Sequence, residues 1–287
     1  MSRVAYVNGR FLPLNHAGVS IEDRGFQFAD GIYEVWAVLG GKLADHAGHA
    51  ERLARSLSEL RIPEPMSPAA LDQVLRETVR RNRVRDGLVY LQVTRGAARR
   101  DHAFPKAGTP PTVVVTARAI DFAAEEAKSA KGVAVITRPD IRWGRCDIKT
   151  VGLLPNALAK QAAKEAGAYE AWFVDAGGHV TEGSSTNAWI VDAQGRLRTR
   201  DTGANILRGV TRKGLAVLAA ELQIPVLEQP FTVEEAKAAS EAFLTSASAF
   251  VTPIVTIDGV SVGTGRPGPV ATRLRSLYLA QARKDAR

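Results

Sequence analysis

Hydrophobic residues in the first part of the chain follow two different spacings. Runs rich in Val, Ile, Leu and Tyr at Gly31–Leu39, Leu88–Thr94 and Thr112–Thr116 predict β-strands. Leucines spaced by four and three residues predict a helix over Glu51–Leu60, and a second helix follows Ser67, a residue type that commonly caps a helix N-terminus. This part of the chain is therefore predicted to combine helices with a sheet.

The apolar patterning weakens between Arg118 and Gly132, where the sequence is rich in Ala, Glu and Lys. Such a stretch is typical of a connection or a surface helix. Strand-like and helical segments then resume without an internal repeat. A chain of 287 residues is long enough for two hydrophobic cores. We predict a two-domain α+β protein with an N-terminal α/β domain over 1–118, an interdomain linker over 119–131 and a C-terminal domain over 132–287.

The composition favours a protein of the reducing cytoplasm. Hydrophobic residues make up 45 % of the chain, and no apolar run approaches the length of a membrane span. The N-terminus carries no charged and then apolar leader. The single cysteine, Cys146, has no spaced Cys or His partners of the kind that bind zinc. We expect a cytoplasmic protein without a metal site.

A formal net charge of +8 raises the alternative of a nucleic-acid-binding protein. The densest basic stretch runs from Arg76 to Arg85 and contains no aromatic residues that could stack on bases. A solvated helix face is the better interpretation of that stretch. A positive field also attracts anionic small molecules, so the charge is compatible with an enzyme that acts on carboxylates.

Two segments in the second half carry candidate chemistry. Lys149 follows Arg145-Cys146-Asp147-Ile148, but a single lysine is ordinarily a solvated surface charge. Thirty-three residues later, Glu182 lies among Gly, Ser and Thr residues beside strand-like sequence. A buried carboxylate needs a partner, and a protonated pyridine nitrogen would compensate its charge. In water Glu182 would be an ordinary strand-end glutamate, and the motif alone leaves both interpretations open.

Together these segments resemble the fold-type IV pyridoxal-phosphate enzymes, a family that includes D-amino acid transaminases, branched-chain aminotransferases and aminodeoxychorismate lyases. The resemblance extends over most of the chain in the family's order, and its motifs are Tyr6–Gly9, Arg145–Lys149, Thr181–Asn187, Thr252–Pro253 and Ile257–Gly259. It implies a smaller N-terminal α/β domain, a larger C-terminal domain with a barrel-like sheet, and pyridoxal 5'-phosphate in the interdomain cleft.

The same resemblance implies roles for individual residues. Lys149 would form the Schiff base with the cofactor and move the proton between the substrate Cα and the cofactor C4′, while Glu182 would face the pyridine nitrogen. Anions favour backbone N–H groups at helix starts, hydroxyls and an arginine. Ala247 departs from the threonine that is frequent in relatives. The implied phosphate contacts are Arg52, Val210, Thr211, Ser246 and Ala247; Leu207 would pack on the ring, and Ser185 would assist Lys149 or hold a water.

Substrate recognition is predicted from the polar loop Thr94–Pro105. Arg100 and His102 could donate to one carboxylate, and together with Tyr33 they resemble the carboxylate site of D-amino acid transaminases, in which the loop reaches the neighbouring subunit of a dimer. A solvated basic turn is the plain alternative. Trp143 either lines the pocket or packs in a core.

We therefore predict a homodimeric D-amino acid transaminase that transfers an amino group to a 2-oxo acid. D-alanine, D-glutamate and D-aspartate are the expected class of donors. Arg99 replaces a proline common in relatives, and its extra charge suggests a preference for acidic substrates. An L-branched-chain aminotransferase or an aminodeoxychorismate lyase is the alternative within the family.

Overall fold

A computed structural model describes residues 3–286, whose contacts separate into two units. One unit comprises the described residues up to Asp121, the segment Ile148–Gly152 and the described residues after Lys284. The other comprises Phe122–Asp147 and Leu153–Lys284. The segment that contains Lys149 thus belongs to the first unit, although it lies within the sequence range 132–287 of the predicted C-terminal domain. Residues 1 and 287, the outer bounds of the predicted domains, lie outside the described residues.

The first unit is built on a six-stranded sheet in the order β2-β1-β6-β5-β3-β4, and its neighbouring strands are antiparallel. Of the three helices described in this unit, two are long enough to cover the sheet with an apolar stripe. The strands are β1 (Val4–Val7), β2 (Arg10–Pro13), β3 (Gly31–Leu39), β4 (Lys42–Leu43), β5 (Gly87–Thr94) and β6 (Thr112–Ala119), and the helices are α1 (Arg24–Phe28), α2 (His46–Glu59) and α3 (Pro68–Arg81).

The predicted strands and helices of this unit are present. Strands β3, β5 and β6 are rich in β-branched and aromatic residues, which suit a pleated surface. Ser67 caps α3 by accepting a hydrogen bond from the Ala70 N–H at 3.3 Å. Helix α2 begins at His46, five residues before the predicted start, because the leucine spacing does not extend into its polar first turn. Its leucines pack with Trp36 and Leu91 in one core.

The second unit holds a nine-stranded mixed sheet. Eight strands follow the order β12-β11-β10-β13-β14-β7-β8-β9, and β15 pairs with β14. The strands are β7 (Val133–Pro139), β8 (Glu170–Val174), β9 (Val180–Gly183), β10 (Asn187–Val191), β11 (Leu197–Thr199), β12 (Val226–Glu228), β13 (Glu241–Ser246), β14 (Phe250–Ile257) and β15 (Val260–Ser261).

In the described part of the chain, five helices accompany this sheet. Helix α4 occupies most of the stretch predicted as a linker, and α6 begins directly after Gly209. The helices are α4 (Phe122–Lys131), α5 (Leu154–Glu165), α6 (Val210–Glu221), α7 (Val233–Lys237) and α8 (Pro269–Asp285). Within residues 3–286, none of the helices is long and apolar enough to cross a membrane. Each unit combines helices with a sheet, so the α+β prediction is confirmed.

Candidate active site

In the first unit, the segment around Lys149 lies along strand β3. The Tyr33 N–H donates to the Lys149 carbonyl at 3.0 Å, and the Val151 N–H donates to the Gly31 carbonyl at 3.1 Å. Ile148 is buried in the core of this unit and anchors the segment. The half-buried Lys149 places its Nζ 4.1 Å from the centroid of the Tyr33 ring. The structure therefore brings Lys149 and Tyr33 together.

Tyr33 belongs to a pair of phenols. Its ring stacks on Tyr90 with the centroids 5.6 Å apart. Burial raises the pKa of Tyr90 to about 12, and the nearby Tyr33 adds to the effect. The Tyr90 hydroxyl donates to the Gln92 side chain at 2.8 Å. Tyr90 is thus a neutral support that fixes the plane of the Tyr33 ring beside Lys149.

Arg52 lies in a buried ion pair of the first unit. Its Nε donates to Glu34 Oε1 at 2.7 Å, its Nη2 donates to Glu34 Oε2 at 2.8 Å, and His49 Nδ1 lies 2.8 Å from the same Oε2. Burial opposes ionisation of Glu34, yet the charge of Arg52 and the hydrogen bonds from Arg52 and His49 outweigh it and lower the pKa of Glu34 to about 2. Burial lowers the pKa of His49, which favours its neutral form. The predicted phosphate arginine therefore commits two nitrogens to Glu34.

Arg100 and His102 lie together on the exposed loop that follows β5. The half-buried ring of Phe28, the last residue of α1, contacts both. Its centroid is 5.0 Å from the Arg100 guanidinium carbon and 5.4 Å from the His102 ring centroid. Both donors remain open to solvent, and the neighbouring Arg99 is also exposed.

In the second unit, Glu182 is buried at the end of β9 within a cluster of polar groups. Arg142 Nη1 donates to its Oε1 in a short hydrogen bond, and Asn187 Nδ2 donates to its Oε2 at 2.9 Å. The Leu207 N–H is 3.1 Å from both carboxylate oxygens. Leu207, predicted to pack on the cofactor ring, is thus placed beside Glu182 by its backbone.

Arg142 is shared between two carboxylates. Its Nη2 donates to Asp140 Oδ2 at 2.7 Å, and the Thr181 hydroxyl donates to the same oxygen at 2.8 Å. Burial opposes ionisation of Asp140, but the hydrogen bond and charge of Arg142 lower its pKa. Asp140 and Glu182 thus share the guanidinium of Arg142.

The predicted phosphate-binding residues of the second unit surround the start of α6. Val210 is its first residue, and the Thr211 hydroxyl oxygen is buried without a hydrogen-bond partner among the described residues. A Cβ on Gly209 would lie 2.0 Å from Asn187 Oδ1, so only glycine permits this close approach. Asn187 in turn pairs with Thr245 of β13, next to the half-buried Ser246 and Ala247. The helix start and this turn thus adjoin the Glu182 cluster through Asn187.

Ser185 is engaged with a different carboxylate. Its hydroxyl donates to Glu170 Oε2 at 2.8 Å and its N–H donates to the same oxygen at 3.3 Å. The Ser184 hydroxyl makes a short hydrogen bond to the other Glu170 oxygen, and Glu170 is fully buried. The Ser185 hydroxyl therefore stabilises the turn after β9 in this structure.

Trp143 is not a core residue, since 47 % of it is exposed. Its carbonyl accepts a hydrogen bond from the Cys146 thiol at 3.1 Å. Burial raises the pKa of Cys146 to about 11, so the group remains a neutral thiol. Cys146 is thus a packing residue, whereas Trp143 presents an apolar surface.

Sequence reasoning missed several partners of the predicted site residues. Arg142 and Asp140 lack a pattern that points to Glu182, because they lie some forty positions before it. Asn187 is the last residue of the Thr181–Asn187 motif that also contains Glu182. Its place in that motif is the signal that could have found it. Arg24 and Phe28, in the segment before β3, carry no such signal.

The groups of the second unit fit an anionic, ring-containing cofactor with a cationic nitrogen. A helix N-terminus and a buried, unpartnered Thr211 hydroxyl suit a phosphate. The two carboxylates that share Arg142 suit a protonated ring nitrogen. Both features lie in one continuous set of contacts through Asn187.

Comparison with known proteins agrees with this chemistry. The family model described as amino-transferase class IV matches residues 31–257. A D-alanine aminotransferase of Staphylococcus haemolyticus is 40% identical over 270 residues, covering 94% of both chains, and one of Bacillus licheniformis is 40% identical over 281 residues, covering 96% of this chain and 98% of the relative. Among solved structures, the branched-chain amino acid aminotransferase of T.th., with pyridoxamine 5'-phosphate, has a TM-score of 0.89 and 29% identity, covering 99% of this chain and 95% of its own.

Proposed function

The chain belongs to the class IV aminotransferases, which use pyridoxal phosphate, and from this premise we propose that it transfers the amino group of a D-amino acid to a 2-oxo acid. The relatives that are 40% identical over nearly the whole chain are named D-alanine aminotransferases, which supports this donor class. D-alanine, D-glutamate and D-aspartate are the donors that we propose.

Lys149 is the proposed catalytic residue. Pyridoxal phosphate, when bound, accepts the amino group and withdraws electrons from the substrate Cα. Lys149 would hold the cofactor covalently through Nζ and, once displaced by the substrate amine, would carry the Cα proton. The face of the Tyr33 ring lies beside Nζ and limits where the amine can move.

The pair of buried carboxylates around Arg142 is the observation that carries the cofactor assignment. Asp140 and Glu182 both bond to this one guanidinium. A cation at this position would be stabilised, and a protonated pyridine nitrogen is such a cation. Glu182 would thereby keep the ring nitrogen protonated, while Leu207 supports the ring.

The phosphate would be held by the start of α6 and by the turn after β13. The N–H groups at Val210 and Thr211 and the Thr211 hydroxyl are suited to a dianion, as are the backbone groups of Ser246 and Ala247. Arg52 remains a proposed phosphate contact, although two of its nitrogens bond Glu34. Ser185 is proposed as a residue near the cofactor that acts through its hydrogen bonds to Glu170.

Tyr33, Arg100 and His102 are the proposed contacts for the substrate carboxylate. Arg100 and His102 are exposed and lie against the same ring, that of Phe28. Both can donate hydrogen bonds, which suits a planar carboxylate. We further propose a homodimer in which the loop bearing Arg100 and His102 serves the partner's site, with Trp143 lining the pocket and Arg99 favouring acidic donors. The cytoplasmic location stays a prediction.

A branched-chain aminotransferase is the second candidate, because the solved structures that match the chain include that enzyme at a TM-score of 0.89. The two candidates differ in the configuration of the substrate. The visible absorption of the purified protein, supplied with pyridoxal phosphate, would be recorded before and after D-alanine or L-leucine is added without an acceptor. A shift to shorter wavelength with D-alanine alone supports the D-specific transaminase, whereas a shift with L-leucine alone supports the second candidate.

Lys149→Ala tests the catalytic assignment with a matched control. Lys164, an exposed lysine of α5, provides the control. We expect Lys149→Ala to lose the long-wavelength band and all turnover, and Lys164→Met to retain both. A band that persists in Lys149→Ala would contradict the assignment.

A further inference from the structure

The side chain of Arg24 holds the backbone of the loop that bears Arg100 and His102. Arg24 is 3 % exposed, and its Nη1 donates to the Asp101 carbonyl at 2.6 Å and to the Ala103 carbonyl at 3.2 Å. Its Nη2 lies 3.4 Å from the His102 carbonyl. Three successive carbonyls of an exposed loop therefore converge on one buried guanidinium.

Arg24 is itself fixed by Asp30. Its Nε donates to Asp30 Oδ2 at 2.8 Å, and Arg95 donates to both oxygens of the same carboxylate at 2.7 and 2.9 Å. Arg95 also donates to the carbonyls of Leu60 and Arg61 at 2.7 and 2.9 Å. Asp30 thus holds the guanidinium of Arg24, and Arg95 in turn holds Asp30.

Phe28 supports the loop on its side-chain face. Its ring centroid lies 4.8 Å from the guanidinium carbon of Arg24 and 5.0 Å from that of Arg100. The His102 ring lies 5.4 Å away at a tilt of 51°. Cations are attracted to the face of an aromatic ring, so this ring restricts the orientations of Arg100 and His102.

Helix α1, which carries Arg24 and Phe28, is tightly docked. Asp23 accepts a hydrogen bond from the Gly25 N–H at 2.8 Å and another from the Thr94 hydroxyl at 2.8 Å. A Cβ on Gly25 would lie 2.3 Å from Thr94 Cγ2, so no larger residue permits this approach. Thr94 pairs with Gly31 at the start of β3, two residues before Tyr33. Helix α1 is therefore fixed against the strand pair β5 and β3, and β3 bears Tyr33.

We propose that Arg24 and Phe28 are positioning residues that pre-order Arg100 and His102 for the substrate carboxylate. This inference rests on the proposed function of those two donors. Residues 99–104 are all exposed, and an exposed loop of this kind is ordinarily mobile. Ordering it before binding removes an entropy cost that the substrate would otherwise bear. The loop is thus ordered for an anion while the side chains of Arg100 and His102 stay exposed.

The test uses the holoenzyme with the variants Arg24→Lys and Phe28→Leu. Lysine retains a charge for Asp30 but cannot reach three carbonyls, and leucine retains apolar volume without a ring. We expect the KM for D-alanine and the inhibition constant of propanoate, an unreactive carboxylate, to rise about tenfold, the effect of one lost charged contact. The kcat should stay within about threefold, because Lys149 and Glu182 are untouched.

Two controls separate positioning from general damage. Phe28→Tyr keeps the ring and should restore both constants, and Phe26→Leu changes a neighbouring phenylalanine that is 74 % exposed and should leave them unchanged. In the double variant Arg24→Lys/Arg100→Ala, the loss should be smaller than the product of the two single losses, because part of the effect of Arg24 is carried by Arg100.

Several results would overturn the proposal. These are a fall in kcat or in cofactor content at unchanged KM, losses that multiply in the double variant, or equal behaviour of Phe28→Leu and Phe28→Tyr. If Arg24→Lys does not fold, the two Phe28 variants decide the question. If Arg100→Ala itself leaves KM and the propanoate constant unchanged, the carboxylate site of the proposed function fails, and that outcome is distinct from a failure confined to Arg24 and Phe28.

Discussion

Glu34 in the first unit and Glu182 in the second are both buried carboxylates that face an arginine, yet the arginine is shared differently. Glu34 pairs with Arg52, and His49 completes the contacts as a neutral group. Glu182 shares Arg142 with a second carboxylate, Asp140. Two buried glutamates that each contact an arginine can therefore belong to different kinds of site.

The difference separates a stabilising cluster from one prepared for a ligand. Two buried charges that satisfy each other need no further ion in order to be stable, so the proposed phosphate contact of Arg52 would add to this pair without being required by it. Two carboxylates that share one arginine favour the approach of a further cation more strongly than a single carboxylate does. The comparison therefore predicts that Glu34 acts mainly on stability and Glu182 mainly on catalysis.

The largest expected effect is that of Glu34→Gln on stability. The change leaves the buried Arg52 guanidinium without a counter-charge, which costs about 3–5 kcal/mol. That is a large share of the roughly 5–15 kcal/mol by which proteins are ordinarily stable. Urea unfolding followed by circular dichroism would measure it. A midpoint equal to that of the unchanged protein would mean that the buried Arg52 guanidinium does not depend on Glu34 as its counter-charge.

Glu182→Gln should act on the rate instead. It removes the charge that favours a protonated ring nitrogen, and we expect kcat to fall by about 10²–10³-fold, as when one oriented electrostatic group is lost. Glu182→Asp should recover part of the rate. Asp140→Asn also removes a carboxylate from Arg142, but at a residue that the proposal places further from the ring nitrogen, so its loss should be smaller. A larger loss in Asp140→Asn than in Glu182→Gln would reverse the assignment of the two carboxylates.

Acid should weaken the Glu34 cluster in two stages. Burial lowers the pKa of His49 below its ordinary 6.5, so the unfolded chain takes up this proton first and stability falls as the pH drops through about 6.5. The pKa of Glu34 is lowered from 4.5 to about 2, so its contribution is complete above 4.5 and is lost between about 4.5 and 2.

Unfolding midpoints from pH 8 to pH 3 would resolve the two stages. Glu34→Gln should lack the part below about pH 4.5, and His49→Gln should lack the part near pH 6.5. If Glu34→Gln keeps the full acid dependence, other carboxylates cause it.

The smallest effect is expected for Glu77→Gln. Glu77 contacts two arginines, with Arg80 Nε at 2.6 Å and Arg81 Nε at 2.7 Å. In contrast to Glu34, 29 % of its side chain is exposed at the surface of α3. The bond to Arg80, and then that to Arg81, lower the pKa of Glu77 to about 2. Solvent screens such pairs, so the unfolding midpoint should not move measurably. A shift comparable with that of Glu34→Gln would show that burial does not explain the contrast.

Local patterns were sufficient for much of the fold. The strands β3, β5 and β6 follow from runs of β-branched residues, and α3 follows from Ser67 and the apolar spacing after it. The start of α2 was missed, because its polar first turn carries no periodic signal. Helix α4 lies in the stretch that was assigned to a linker, for which a surface helix was the other interpretation. The Lys149 and Glu182 motifs identified the family, which the comparisons confirm.

The sequence by itself determined the elements, the family and the residue types available for the chemistry, because these depend on short-range spacing and on motifs of a few residues. Only the tertiary structure decided which charges meet. Arg142 reaches Glu182 across 40 positions, and Arg24 reaches the Asp101 carbonyl across 77. The physical reason is that the free energy of a buried charge depends on every group within a few ångströms, and those neighbours come from strands and loops that lie far apart in the chain.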